Sequence, residues 1–157
     1  MTISVKHVNQ LKSAFFYAVE AGTPEKIFSD EIKSLLPKDK ELKVLSLGKA
    51  ASSMAEKMAD MNISQNGIVV TNDENFRHIE NFTCFATGHP FPDKRGLNAA
   101  KKVELFLEEL SVKDHLILLL SGGGSSLLPA PPEGITFKEK TYINKVLLES
   151  GLDITEV

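Results

Sequence analysis

The segment HLILLL at His115–Leu120, followed at once by SGGGSS at Ser121–Ser126, passes from an apolar run to a tract with almost no side chains. An aliphatic run without alternation is the pattern of a strand covered on both faces of a parallel sheet. In an open α/β sheet, ligands bind beyond the carboxyl ends of the strands, which is where Ser121, Gly122, Gly123, Gly124, Ser125 and Ser126 fall. Glycines there permit positive φ and let backbone N–H groups converge on an anion, while serines add hydroxyl donors. Many Gly-Ser tracts are passive linkers. This one joins a buried strand to Leu127, Leu128 and Pro129, so it is expected to be a phosphate-binding loop. Its spacing is neither G-x-x-x-x-G-K-[ST] nor G-x-G-x-x-G, so neither of those nucleotide-binding fingerprints is present.

Working outward, strands and helices alternate. Lys43–Leu47, Gly67–Thr71 and Phe82–Ala86 read as strands. Lys49–Met61 reads as a helix whose buried face carries Met54, Met58 and Met61, and Leu97, Ala100, Val103, Phe106 and Leu110 mark one side of another. Thr136 and Glu139 form a capping-box pattern that opens a helix ending near Gly151. Ahead of the first strand, Val8, Leu11, Phe15, Ala18 and Val19 make an amphipathic stripe ending near Gly22. Thr23-Pro24 there predicts an N-cap and first helical residue of a short second helix. The alternation indicates a doubly wound α/β protein with a mainly parallel sheet. Asp153 with Glu156 reads as the start of another helix, so the sequence is expected to be cut off at Val157.

At 157 residues, 42% hydrophobic and 25% charged, the chain has the composition of one globular domain. A net charge of −3, with scattered lysines and arginines, gives no footprint for nucleic acid. The lone Cys84 cannot form an internal disulfide, the first residues lack signal-peptide order, and no apolar run is long enough to span a bilayer. A cytoplasmic protein without a membrane segment is expected.

Two further positions carry chemistry. Lys49 follows Gly48 at the corner after the first strand, where a cation opposes the helix dipole unless an anion is bound. The small residues Ala50–Ser53 would let a ligand approach, although a solvated lysine covering the helix end is the plain alternative. His89 lies in the stiff segment His89-Pro90-Phe91-Pro92, where a side chain can be held in place, though a loop histidine is more often structural. Asp93 is expected to cap the helix that follows. No metal-ligand spacing connects the histidines with Cys84.

S-L-G-K-A at Ser46–Ala50, G-H-P-F-P-D at Gly88–Asp93 and S-G-G-G-S-S-L-L-P-A-P-P at Ser121–Pro132 together resemble the glycerate 2-kinase family, whose members carry a MOFRL domain. The resemblance extends through Thr136–Lys140 and Asp153–Val157. It implies that residues 1–157 are part of an N-terminal Rossmann-like kinase domain, incomplete relative to the full family domain, with the C-terminal MOFRL domain absent. The implied activity is ATP- and Mg2+-dependent phosphorylation of glycerate to 2-phosphoglycerate. Lys49 then matches an active-site lysine, Gly122–Ser126 the phosphate-contacting motif, and His89 a ligand-side histidine. The resemblance leaves homo-oligomerisation open. Asn72, Asp73 and Glu74 are more acidic than expected beside an anionic substrate, and the family chain is more than twice as long, so the isolated chain is expected to be inactive. A sugar-phosphate isomerase or lactonase-type enzyme, and a non-catalytic phosphometabolite-binding module, are the competing possibilities.

Overall fold

The computed structural model describes residues 4–64, 66–153 and 155. They fall into two compact units divided after Lys38. The first carries helices α1 (Val5–Ala21), α2 (Pro24–Ile27) and α3 (Asp30–Leu35). Ser4 caps α1 by accepting from the His7 amide at 3.3 Å, and Gly22 ends it. Pro24 opens α2 as expected, but the Thr23 hydroxyl donates back to the Glu20 carbonyl at 2.9 Å and leaves α2 without a side-chain cap. The α1 stripe is exposed at Leu11, Phe15 and Val19.

The second unit is a four-stranded parallel sheet of β1 (Glu41–Leu47), β2 (Gly67–Asn72), β3 (Phe82–Thr87) and β4 (Asp114–Leu120), in the order β3-β2-β1-β4. Helix α4 (Ala51–Asp60) joins β1 to β2, and α5 (Lys94–Glu108) joins β3 to β4. The chain moves outward from β1 to β3 and then returns past β1 to β4. Right-handed crossovers therefore place α4 and α5 on opposite faces. Side-chain alternation agrees. Ser46 turns to α4, its hydroxyl donating to the Ala51 carbonyl at 2.8 Å. Leu45, Ile68 and Val70 pack with Ala99 and Val103 of α5. The strand order reverses between β1 and β4, which makes their carboxyl ends the crevice of a doubly wound sheet.

Helix α4 starts at Ala51, so Lys49 precedes it in the turn rather than forming its first residue. Met58 is buried as expected, whereas Met54 and Met61 are only half-buried. The expected burial of the His115–Leu120 strand on both faces is not what the structure shows. Leu119 is buried on the α4 side, but Leu118 and Leu120 are 56% and 64% exposed. The cause is position: β4 pairs only with β1 among the described residues, and α5 covers the far side of the sheet.

After β4 come a one-turn helix, α6 (Gly124–Leu127), and then α7 (Phe137–Glu149). The predicted capping box of α7 is complete: the Glu139 amide donates to Thr136 Oγ1 at 3.2 Å and the Thr136 amide to Glu139 Oε2 at 2.8 Å. Of the helix expected at the end of the sequence, Asp153 accepts from the Thr155 amide at 3.0 Å, while Ile154, Glu156 and Val157 lie outside the described residues.

Candidate functional site

The two corners at the crevice are laced together. The Ser121 amide donates to the Leu47 carbonyl at 2.9 Å, and the Lys49 amide to the Gly122 carbonyl at 2.9 Å. Ser121 Oγ accepts from the Ala50 amide at 3.0 Å. This lacing fixes the residue between them. Gly48 has φ 120°, and a Cβ there would lie 2.5 Å from the Ser121 carbonyl oxygen and closer still to its hydroxyl. Only glycine fits.

Beyond Ser121 the loop turns on Gly123, at φ 100°. The Gly123 carbonyl accepts from the amides of Ser126 and Leu127, both at 3.2 Å, and from the Ser126 hydroxyl at 3.1 Å. The loop is anchored where Leu127 is fully buried and its carbonyl accepts from the Thr87 hydroxyl at 2.8 Å. The amides of Gly122, Gly123, Gly124 and Ser125 are left with no acceptor among the described residues. Consecutive unsatisfied N–H groups at the carboxyl edge of a sheet form an anion cradle. Gly122 itself has open space on its side-chain face: an added Cβ would meet nothing nearer than Lys49 Cε, at 3.9 Å.

Lys49 and His89 flank this cradle. The Lys49 side chain lies beside Gly122, and the His89 ring lies where a Cβ on Gly123 would meet Cδ2 at 3.0 Å and Nε2 at 3.2 Å. Both are exposed. The structure thus brings together Lys49, His89 and Gly122–Ser125. The hydroxyls of Ser121 and Ser126 are turned inward to the loop's own backbone. The His89–Pro90 peptide is cis.

On the His89 side a cleft of about 500 Å³ opens between the loop and α7, lined by Gly123, Ser125, Lys140, Asn144 and Leu147 among others. Among the described residues no aspartate or glutamate lines it. Lys140 Nζ donates to Asn144 Oδ1 at 2.7 Å, one helical turn on. Neither residue stands out in the sequence, because only the fold carries α7 to the glycine loop. Their i, i+4 spacing is the one local signal.

The acids after β2 are already occupied. Asp73 accepts from both terminal nitrogens of Arg95, at 2.6 and 2.9 Å, and the same guanidinium reaches Asp93 Oδ2 at 2.7 Å. The hydrogen bonds from Arg95 hold the Asp73 carboxyl below its ordinary range. Partial burial pushes Asp93 upward, but hydrogen bonds from Arg95 and the Gly96 amide outweigh it and leave a lowered pKa. Asp93 also caps α5, accepting from the amides of Arg95 at 2.9 Å and Gly96 at 3.1 Å. Glu74 accepts from Asn72 Nδ2 at 2.6 Å. Among the described residues no group of three or more His, Cys, Asp or Glu could hold a metal ion, and no helix is long and apolar enough to cross a membrane.

A reversed-order parallel sheet with a glycine loop and a lysine at its switch point defines a Rossmann-like α/β protein with a crevice at the carboxyl ends of β1 and β4. The chain belongs to the family described as "Domain of unknown function (DUF4147)", which matches residues 10–157. It is 34% identical to the D-glycerate 2-kinase of Thermotoga maritima over 143 residues, covering 85% of this chain and 33% of that protein. An Agrobacterium vitis protein provisionally named a hydroxypyruvate reductase is 36% identical over 118 residues, covering 73% of this chain and 30% of the other. Among solved structures, a glycerate kinase of Thermotoga maritima superposes with a TM-score of 0.77 at 30% identity, over 89% of this chain and 34% of that one. The chain spans about a third of the length of these relatives.

Proposed function

We propose that this chain forms the phosphoryl-holding part of a cytoplasmic glycerate 2-kinase that converts glycerate and ATP to 2-phosphoglycerate. The observation that carries this reading is the row of free amides from Gly122 to Ser125, held at the switch point between Lys49 and His89. Phosphoryl transfer asks little covalent chemistry of a protein and depends on positioning and charge stabilisation. The chemistry supplied by a bound nucleotide is its transferable phosphoryl group. The loop amides donate to phosphoryl oxygens, the Lys49 ammonium offsets their charge, and the His89 ring orients the ligand from the opposite side. The room above Gly122 admits a phosphate close to the backbone. Among the described residues no group of three or more His, Cys, Asp or Glu is placed to hold Mg2+, and Asp73 and Asp93 are already bound to Arg95.

The relationship to a named reductase raises hydride transfer as the other activity. The first strand–helix corner, S-L-G-K-A-A-S at Ser46–Ser52, lacks the G-x-G-x-x-G that brings a dinucleotide pyrophosphate onto a helix. A chimera tests the choice: this chain replaces the matching third of the Thermotoga maritima glycerate kinase. The expected result is glycerate-dependent ADP formation by the chimera and none by the isolated chain. Lys49→Met in the chimera lowers turnover by about 10²–10³-fold, the range for loss of one charge-stabilising group. NAD(P)H-dependent reduction of hydroxypyruvate without ADP formation would overturn the kinase reading.

A further inference from the structure

We propose that Lys140, held by Asn144, is the carboxylate-binding residue of the hydroxy-acid subsite, and that the cleft beside His89 is that subsite. The inference rests on the glycerate 2-kinase reading and adds to it the place of the second anionic group. A phosphorylated hydroxy acid carries two anions, a phosphoryl group and a carboxylate, a few bonds apart. The crevice offers two matching features. One is the amide cradle of Gly122–Ser125. The other is the cleft next to it, which shares Gly123 and Ser125 with the cradle and has Lys140 in its wall.

Lys140 is placed as a ligand group rather than a solvated surface charge. It is half-buried, whereas the neighbouring Lys138 and Lys145 are exposed. Among the described residues it has no carboxylate within ion-pair distance, and no acid lines the cleft. Its hydrogen bond goes to a neutral amide oxygen, which fixes the direction of the ammonium without neutralising it. A lysine so held keeps donors for an incoming carboxylate. Leu147 on the same helix gives the cleft an apolar side suited to a short carbon skeleton. At about 500 Å³ the cleft takes a small acid with room to spare.

The test measures binding, without turnover, of 2-phosphoglycerate and of inorganic phosphate to the chain and to Lys140→Met, by calorimetry. Wild type is expected to bind 2-phosphoglycerate more tightly than phosphate. Lys140→Met is expected to lose at least about tenfold in affinity for 2-phosphoglycerate, the effect of one hydrogen bond to a charged group, while phosphate binding stays unchanged. Asn144→Ala is expected to give a smaller loss of the same kind, and Lys140→Arg to restore part of the affinity. Matched circular dichroism and melting curves exclude unfolding of α7 as the cause. If wild type prefers 2-phosphoglycerate and Lys140→Met keeps that preference, the subsite assignment is wrong and the kinase reading stands. If wild type binds phosphate and 2-phosphoglycerate equally, the hydroxy-acid reading and the subsite both fall.

Discussion

Replacing Gly48 by alanine tests whether the crevice is built by the lacing of two strand ends. The new methyl meets two separate obstacles. At φ 120° an L-residue is strained by about 1–3 kcal/mol. The Cβ also falls 2.5 Å from the Ser121 carbonyl oxygen, so the lacing must open or the strand ends must part, at about 1–3 kcal/mol more. The sum, about 2–6 kcal/mol, is a large fraction of a small domain's stability. With a urea m-value of about 2 kcal/mol/M, the unfolding midpoint should fall by about 1–3 M. Gly134→Ala is the control: it also has positive φ, 87°, but nothing within 4 Å of an added Cβ. It should lose only the strain, about 1–3 kcal/mol. A Gly48→Ala midpoint no lower than that of Gly134→Ala would refute the claim that the two corners are locked together.

Gly122→Ala should behave oppositely to Gly48→Ala, leaving the unfolding free energy from urea melts within about 0.5 kcal/mol of wild type because its methyl enters open space, yet weakening phosphate binding measured by calorimetry. Asp93→Asn keeps an N-cap and removes a charge. Because the folded carboxyl has a lowered pKa, its contribution is present above the unfolded value of about 3.9 and fades as pH falls below it. The stability gap between wild type and variant, followed by thermal melts from pH 7 to pH 3, should therefore close on acidification. Ser52→Ala should raise the melting temperature, since the Ser52 hydroxyl is buried with no hydrogen-bond partner among the described residues, and removing it relieves about 1 kcal/mol or more. A lowered melting temperature would show that the hydroxyl is satisfied.

The legible features of this sequence are those set by local physics. The capping box at Thr136 and Glu139, the proline start of α2 and the Asp93 cap depend on residues within one turn of each other, and all three elements start where the sequence puts them. Strand positions were legible from β-branched and aliphatic runs, to within one or two residues at each end. The burial of β4 was not legible. An aliphatic run records that a strand is apolar, while coverage of Leu118 and Leu120 depends on what packs against the sheet edge. Helices α3 and α6 escaped notice for local reasons: Asp30–Leu35 is too short to show a period, and the α6 turn starts in a glycine tract of poor helix propensity. At the site, Lys49, His89 and the glycine loop were marked by their neighbours in sequence. Lys140 and Asn144 were not, because residues 127–136 separate α7 from the loop it faces, and only the turn through Pro129–Thr136 closes that distance. The acidity of Asp73 and Glu74 beside the crevice has a physical reason that only the fold shows: Arg95 holds Asp73 and Asn72 holds Glu74.

A backbone NMR titration of the chain with inorganic phosphate tests the central claim most directly, because it reports on the amides themselves. The amide signals of Gly122, Gly123, Gly124 and Ser125 should shift together and saturate at one affinity, while those of Leu45 and Val69 in the sheet interior stay still. Saturable shifts confined to other residues, or no shifts at Gly122–Ser125 at any phosphate concentration, would contradict the assignment of this loop as the phosphoryl cradle.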